Sequence, residues 1–302
     1  MINIICEKRE RNMKEKLYFI FSMITFGTIG IFIRYIDLAP SEIALLRGCI
    51  GSLFLLAILI FSKQKISWTN IKKNIPVLLI SSFALGVNWI FLFQAYKQTT
   101  IANATLSYYF APVFVILMSP IVLKEKISLK KAFYIGIAVL GMFFIIHNSG
   151  NVGAQNNPLL GILYGIIAAA FYATLMLTNK FIKNMSGLET TLLQLTFATM
   201  ILTPYVLISE RDNLFHITCF SIICIIILGV VHTGIAYYLF FCGMKGLKGQ
   251  SIAALSYVDP VTSLFVSFLV FSENMTVLQI IGAILLLGST FLSERTQPIT
   301  GV

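Results

Sequence analysis

Apolar stretches of about 17 to 25 residues recur along the whole chain, and a helix of that length crosses the hydrocarbon core of a bilayer. Charged residues make up only 11% of the chain and hydrophobic residues 58%, with a mean hydropathy of +0.89. A soluble domain carries about 25% charged residues, so this chain cannot cover a globular surface with polar groups. We therefore predict an all-α membrane protein with ten transmembrane helices, at about 17–36, 42–62, 75–96, 103–123, 131–147, 159–181, 189–209, 217–242, 251–271 and 277–293.

The two halves of the chain repeat one pattern at an offset of 148 residues, so that Asn88–Glu125 matches Ala236–Glu273. In both copies a proline is followed 13 residues later by a glutamate, as Pro112 with Glu125 and Pro260 with Glu273. Internal duplication in a membrane chain is typical of secondary transporters. Because five helices per half is an odd number, the second half enters the membrane the other way up. The sequence thus predicts two inverted five-helix repeats.

The basic residues predict the orientation of the chain. With the N-terminus in the cytoplasm, 18 of the 22 Lys and Arg residues fall in inner segments, three in outer segments, and Arg47 within a helix. This excess follows the positive-inside rule, so the net charge of +10 needs no nucleic-acid partner. We predict a multi-pass protein of the bacterial cytoplasmic (inner) membrane, surrounded by lipid, with both termini in the cytoplasm.

The predicted helices divide the chain into five parts. These are a basic cytoplasmic tail (1–16), a first five-helix repeat (17–147), an external linker (148–157), a second five-helix repeat (158–293) and a cytoplasmic C-terminal tail (294–302). Translation from Met1 and from Met13 are both left open. The first apolar stretch is too long for a signal-peptide core, so we expect it to be retained as a helix.

Motifs for covalent chemistry are missing from the sequence. It contains no Walker loop, no His-Glu-x-x-His, no Gly-x-Ser-x-Gly and no dinucleotide fingerprint. Its five cysteines form no Cys-x-x-Cys pair, and most lie in apolar helices, where free Cys acts as a small hydrophobic residue. We expect no enzyme activity, no metal and no cofactor. Without a nucleotide site, transport has to be driven by an ion or substrate gradient.

Two repeat-matched segments carry a resemblance to a known family. Tyr-Tyr-Phe-Ala-Pro-Val-Phe (108–114) runs to Leu-Lys-Glu-Lys (123–126), and Ser-Tyr-Val-Asp-Pro-Val (256–261) runs to Phe-Ser-Glu-Asn (271–274). With the 5+5 layout, Arg47 and the glycines of the fifth and tenth helices, they resemble EamA-type transporters of the drug/metabolite transporter superfamily over about residues 15–295. One departure is that the Gly-Glu pair often seen at these helix ends is Lys124-Glu125 and Ser272-Glu273 here. The resemblance implies transport of amino acids, other metabolites or drugs.

A polar stripe on the ninth predicted helix points to the substrate route. Ser256, Asp259, Ser263 and Ser267 are spaced three, four and four residues apart, so they share one helix face. Asp259 is the only carboxylate well inside a predicted span. Because an unpaired carboxylate there costs several kcal/mol, we expect a partner, a water-filled cavity or protonation. The functional alternatives are a substrate ammonium site and a proton site.

Arg47 and His232 are two further ionisable residues within the predicted spans. The Arg47 guanidinium suits a substrate carboxylate, but it could also reach the outer interface, brace helix carbonyls or pair with Asp259. His232 could relay protons or simply be hydrogen-bonded in a packed bundle.

Prolines and aromatic residues complete the candidate site. Pro112 and Pro260 lie within predicted helices at matching places, where a kink frees a backbone carbonyl and suggests a cavity. Polar and aromatic residues on the repeat-matched third, fourth, eighth and ninth helices could line that cavity rather than form interfacial belts: Asn88, Trp89, Tyr108, Tyr109, Tyr237 and Tyr257. Gly161 and Gly165 could mark a homodimer face or close packing within the chain.

The sequence thus predicts a secondary active transporter working by alternating access. We expect it to export small metabolites such as amino acids, and we leave both proton coupling and facilitated diffusion open. The alternatives are a multidrug or lipophilic-cation exporter, in which Asp259 is exposed and Arg47 is off the path, and a membrane scaffold or sensor that transports nothing.

Overall fold

The computed structural model describes residues 2–62, 67–124, 127–147, 157–209, 217–244, 247 and 255–295. All regular structure in these ranges is helical, without strands. The helices are α1 (Ile2–Gly27), α2 (Ile29–Arg34), α3 (Pro40–Phe61), α4 (Trp68–Gln98), α5 (Ile101–Tyr108), α6 (Ala111–Val122), α7 (Leu129–His147), α8 (Pro158–Asn179), α9 (Gly187–Ser209), α10 (Cys219–Ile227), a π-helix (Leu228–Ile235), α11 (Ala236–Met244), α12 (Val258–Phe271) and α13 (Val277–Arg295). Glu125, most of the predicted linker and residues 296–302 lie outside the described residues.

Each of the ten predicted apolar stretches coincides with one helix or with a run of consecutive helices. Eight of these segments, from Met13–Arg34 to Cys219–Gly243, are long and apolar enough to cross a membrane. Val258–Phe271 and Val277–Ser293 are shorter apolar helices, so a count of ten is consistent with the structure. The first helix begins at Ile2 rather than near residue 17, because the Lys-, Arg- and Glu-rich segment before the apolar stretch consists of good helix formers.

The core of the molecule forms where helices from before the linker pack against helices from after it. Thus α4 lies along α8, α1 along α11, α3 along α9 and α7 along α13. Glycines bring α7 and α13 together. A Cβ added to Gly141 would lie 2.6 Å from the carbonyl oxygen of Gly282, and one added to Gly282 would lie 2.6 Å from that of Gly141. These two backbones therefore touch where neither residue has a side chain.

Two helix ends share an uncommon backbone conformation. Lys124, after α6, and Ser272, after α12, have positive φ angles of 57° and 51° and lie 148 residues apart. Glycine adopts this left-handed conformation most easily. The backbone therefore takes this conformation at both helix ends, although the residues there are Lys and Ser.

Candidate functional site

Arg47 lies in α3 and is almost completely buried, with 2% of its surface exposed. Its Nε donates a hydrogen bond to Thr233 Oγ1 over 2.7 Å. The guanidinium carbon lies 4.6 Å from the ring centroid of Trp89 and 5.6 Å from that of Phe93. Within the described part of the chain, the two Nη atoms of Arg47 have no hydrogen-bond partner and no carboxylate pairs with them. The buried cation is therefore held by two aromatic rings and one hydroxyl, and a guanidinium with free Nη atoms has the geometry that carboxylates match.

Thr233 belongs to the π-helix, and that geometry fixes the direction of its hydrogen bonds. Its hydroxyl donates to the carbonyl of Leu228, five residues earlier, over 2.9 Å. Because this bond uses its only proton, the oxygen can only accept from Arg47. Close contact of Thr233 with Gly51 of α3 lets the π-helix approach the helix that carries Arg47. Thr233 could not be singled out from the sequence, since a π-helix has no periodicity that an apolar stretch reveals.

Asp259 lies in the first turn of α12 and is partly buried. Its Oδ2 accepts a hydrogen bond of 2.7 Å from the Tyr109 hydroxyl, which comes from the break between α5 and α6. A Cβ on Gly27, at the end of α1, would lie 2.6 Å from the carbonyl oxygen of Asp259, so α1 approaches α12 closely here. Asp259 therefore lies where broken helices from both halves of the chain meet.

Arg47 and Asp259 do not form an ion pair with each other. Three tyrosines lie within electrostatic range of both charges, namely Tyr96, Tyr108 and Tyr237. The structure thus brings an unpaired buried cation and a carboxylate to one tyrosine-lined region. This region is separate from the cavity of about 470 Å³ between α3 and the π-helix, which Phe54, Phe61 and Tyr238 help to line.

Asn88, Tyr108 and Tyr237 occupy the walls around this region. Asn88 Nδ2 donates to the carbonyl of Ala168 over 2.7 Å, which ties α4 to α8. The Tyr108 ring meets the Tyr109 ring edge-on at 6.1 Å between centroids. Tyr237 packs against Phe26 of α1 at 5.2 Å. Asn88 therefore has a structural bond, whereas Tyr108 and Tyr237 pack against neighbouring aromatic rings within electrostatic range of both charges.

His232 belongs to the π-helix, is 2% exposed and contacts the break between α1 and α2. Its Nε2 is 3.0 Å from the Thr28 hydroxyl and its Nδ1 is 3.3 Å from the carbonyl oxygen of Ile227. The Phe32 ring meets the imidazole edge-on at 4.9 Å. The Thr28 hydroxyl is also 2.8 Å from the carbonyl oxygen of Thr25, so its one proton goes either to that carbonyl or to Nε2 of His232. His232 is thus connected to the helix break rather than bonded to Asp259.

Tyr257 and Ser256 lie at the start of the broken ninth segment. The Tyr257 hydroxyl donates to Thr290 Oγ1 over 3.0 Å, and its ring meets Phe291 edge-on at 5.3 Å. Tyr257 therefore packs on α13, and the structure does not bring it to the Asp259 carboxylate. Ser256 lies in the helical turn just before α12 and is partly buried.

The rest of the polar stripe faces α5. Ser263 Oγ is 2.7 Å from Thr105 Oγ1, which is 3.3 Å from the Tyr96 hydroxyl. Ser267 Oγ accepts from the backbone N–H of Ala102 over 3.3 Å. Ser263 and Ser267 are each 1% exposed, so this face of α12 lies inside the bundle.

Pro112 and Pro260 follow breaks rather than kinks. The helix stops at Tyr108 and restarts at Ala111, which puts Pro112 in the first turn of α6. Residues 255–256 are helical, Tyr257 interrupts them, and Pro260 lies in the first turn of α12. Proline is tolerated in a first turn because the N–H it lacks would have had no partner in the helix. The two breaks therefore come at the repeat-equivalent residues Tyr109 and Tyr257.

The model of the EamA-like transporter family matches this chain twice, at residues 13–147 and at 159–294. The uncharacterized transporter YxxF of Bacillus subtilis is 30% identical over 245 residues, covering 81% of this chain and 78% of that protein. An uncharacterized transporter of Archaeoglobus fulgidus is 26% identical and covers 91% and 94%. The uncharacterized inner membrane transporter YicL of Salmonella typhimurium is 23% identical and covers 92% and 94%.

The solved crystal structure of another protein has the same fold. It superimposes with a TM-score of 0.62 at 17% identity and covers 92% of this chain and 97% of the other. At that identity the likeness extends to the fold alone.

Proposed function

Since this chain belongs to the EamA-like transporter family, and is therefore a multi-pass membrane transporter, we propose that it carries small zwitterionic metabolites such as amino acids by alternating access. The observation that carries the proposal is a cation and a carboxylate in one tyrosine-lined region, neither of which forms an ion pair with a residue that the structure describes. Arg47 would bind the carboxylate of the solute and Asp259 its ammonium group. A buried charge without a partner is costly, and a zwitterion would neutralise both charges at once.

The surrounding residues would set the shape of this site. Tyr108 and Tyr237 would contact the side chain of the solute, and Trp89 would keep the guanidinium flat against its ring. Tyr109 would orient Asp259, with Asn88 supporting the wall. Ser256 and Tyr257 would lie at the edge of the substrate site. Pro112 and Pro260 would contribute through the helix breaks that they follow.

For the architecture we propose two inverted five-helix repeats, with ten spans and both termini in the cytoplasm. Matched contacts support this proposal. Asn74, in α4, accepts from the backbone N–H of Lys183 over 3.1 Å, and Ser221, in α10, accepts from that of Asp37 over 3.2 Å. The acceptors Asn74 and Ser221 lie 147 positions apart, and the donors Asp37 and Lys183 lie 146 apart. A contact between the halves is therefore matched by a second one in which the roles of the two halves are exchanged.

The direction we propose is export, with Asp259 or His232 as the site through which protons could be exchanged. An amino acid that leaves on a proton gradient needs a residue that alternates between proton and substrate ammonium, and Asp259 has that chemistry. Proteoliposomes loaded with L-phenylalanine test this. Efflux accelerated by an inward proton gradient in wild type, but not in Asp259→Asn, is the expected result.

Thermal stabilisation of the purified protein tests the zwitterion site, because a ligand that binds the folded state raises its stability by mass action. The probes are matched triplets, for example L-phenylalanine, its amide and 3-phenylpropionate. We expect the zwitterion to stabilise wild type and neither Arg47→Gln nor Asp259→Asn. The control is Lys97→Gln, which removes a cation that bonds the carbonyls of Ile36 and Leu38 outside the site.

Two outcomes would contradict the proposal. Stabilisation by lipophilic cations alone, lost only in Asp259→Asn, would favour the multidrug exporter and remove Arg47 from the site. A zwitterion that stabilises Arg47→Gln as strongly as wild type would place its carboxylate elsewhere.

A further inference from the structure

Arg34 and Glu273 form an ion pair at one end of the helix bundle. Arg34 is the last residue of α2, and its Nη1 is 2.5 Å from Glu273 Oε1. The Arg34 side chain is 22% exposed and that of Glu273 is 7% exposed. The pair is therefore largely removed from water. In that environment the attraction between the two charges is stronger, and separating them is harder, than for a pair at the surface.

The second oxygen of Glu273 is also occupied. Oε2 accepts from the backbone N–H of Ile101 over 2.9 Å and from the hydroxyl of Ser267. Ile101 is the first residue of α5, whose N–H has no partner within the helix and lies at the positive end of the helix dipole. Glu273 thus joins the start of α5 to the end of α12.

The other two nitrogens of the Arg34 guanidinium donate hydrogen bonds to α4 and to the residue that follows it. Nη2 donates to the carbonyl of Thr99 over 2.7 Å and Nε to that of Tyr96 over 3.3 Å. Its guanidinium carbon also lies 4.8 Å from the ring centroid of Phe271. One pair of side chains therefore ties α2, α4 and α5 of the first half to α12 of the second.

The backbone holds Glu273 in this position. Ser272 has a left-handed φ of 51°, and the N–H of Glu273 donates to the carbonyl of Ser267 over 3.1 Å. The turn that carries the repeat-matched glutamate thereby aims its carboxylate back at the bundle. Lys97 is a useful contrast, because it bonds the carbonyls of Ile36 and Leu38 and so stays within the first half.

We propose that the Arg34–Glu273 pair is the latch of the outer gate in the transport cycle. The charge distribution of the sequence puts this end of the bundle outside. Asp259 is in the first turn of α12 and the latch is at its far end, so a solute passing from that site to the outside has to separate α12 from α2 and α5. The structure is then the outward-closed state, and loss of the pair shifts the population toward the outward-open state.

Accessibility of a single cysteine tests the latch without any substrate. The reporter is Ser263→Cys in a variant that lacks all five native cysteines. Ser263 is 1% exposed and lies one turn closer to Asp259 than Ser267 does. The measurement is the labelling rate by a membrane-impermeant maleimide added outside intact cells, normalised to labelling after denaturation.

We expect slow labelling with the latch intact and a rise of about tenfold or more in Glu273→Gln and in Arg34→Gln. Arg34→Lys keeps the charge but loses the hydrogen bonds of the guanidinium to the carbonyls. Its labelling rate should therefore lie between that of the intact latch and those of the two Gln variants. Lys97→Gln, the matched control, should label like the parent. Size-exclusion profiles and melting temperatures identify any variant that fails to fold. If the two Gln variants do not fold, the labelling rate of Arg34→Lys is compared with that of the parent instead.

Unchanged labelling in folded Glu273→Gln and Arg34→Gln would overturn the latch, as would fast labelling of the parent. A rise seen only in inside-out vesicles would overturn its assignment to the outer gate. Since no solute is added, these results do not depend on the zwitterion site.

Discussion

At the scale of single residues, the decisive arrangement is a cation held by a hydroxyl that cannot donate. Thr233 gives its proton to Leu228 and accepts from Arg47 Nε over 2.7 Å. The guanidinium is thereby fixed from one edge while Trp89 covers one face. The other edge, with both Nη atoms, is where we propose that the substrate carboxylate binds.

Thr233→Val should weaken binding of a zwitterion roughly tenfold or more, because a hydrogen bond to a charged group contributes about 1.5–3 kcal/mol. The shape of the side chain is kept, so helix packing should change little. Thr233→Ser restores the hydroxyl and should restore affinity. Isothermal titration with L-phenylalanine and with its amide separates the roles, since only the zwitterion should lose affinity. Equal loss for both compounds would show that Thr233 acts on packing instead.

Some residues of the site could be predicted from sequence and others could not. Arg47 and Asp259 were identifiable because an ionisable residue within an apolar stretch is costly and therefore rare. Thr233 and Tyr96 were not, since hydroxyl residues are common in membrane helices and only the contacts single these two out. Tyr257 matched Tyr109 in the repeat, yet its hydroxyl bonds Thr290 of α13. Repeat equivalence therefore predicted the backbone break and not where the side chain lies.

At the scale of helices, the contact between α7 and α13 depends on the absence of two side chains. Gly141 and Gly282 each have the carbonyl of the other at the place that a Cβ would occupy. Gly136 of α7 and Gly288 of α13 have nothing within 4 Å of that place. The same two helices thus provide both a test position and its control.

Gly141→Ala and Gly282→Ala should each destabilise the protein by about 1–3 kcal/mol, because the added methyl group must push two backbones apart. Gly136→Ala and Gly288→Ala should be neutral or slightly stabilising, since alanine favours a helix over glycine by roughly 1 kcal/mol. Melting temperatures in detergent measure all four variants. A similar loss in all of them would mean that general flexibility, and not this contact, is responsible.

The length and polarity of the apolar stretches predicted where the helices lie, because a bilayer leaves few other backbone structures. The break at Thr28 and the π-helix were harder to predict. They depend on partners such as His232 and Arg47, which come from other parts of the chain. The proline positions gave a signal for two of the breaks, and Thr28 had no such signal.

At the scale of the whole molecule, the helix starts allow a direct test of the inverted arrangement. Ser128 Oγ accepts from the N–H of Lys131 before α7, and Thr276 Oγ1 accepts from that of Gln279 before α13. These two caps lie 148 residues apart, and in each the hydroxyl accepts from the backbone N–H three residues later. In an inverted pair of repeats they face opposite sides of the membrane.

In the cysteine-free variant, Thr276→Cys should react with an impermeant maleimide on intact cells, whereas Ser128→Cys should react only after permeabilisation. The expectation follows from the odd number of helices in each half and the positive-inside rule. Because Ser128 and Thr276 are both exposed at a helix start, a cysteine at either position should react at a similar rate once the reagent reaches its side of the membrane. Labelling of both from the same side would refute the inverted topology.

The pairing of α1 with α11 and of α4 with α8 also has a consequence for biosynthesis. A ribosome delivers α1 and α4 to the bilayer well before their partners exist. Until α8 is inserted, the amide of Asn88 lacks the Ala168 carbonyl that it bonds in the finished protein. Because a polar group in lipid seeks any available partner, the nascent first half is the form most exposed to misassembly and to quality-control proteases. Two separately encoded halves, made in the same cell, should therefore protect each other from degradation.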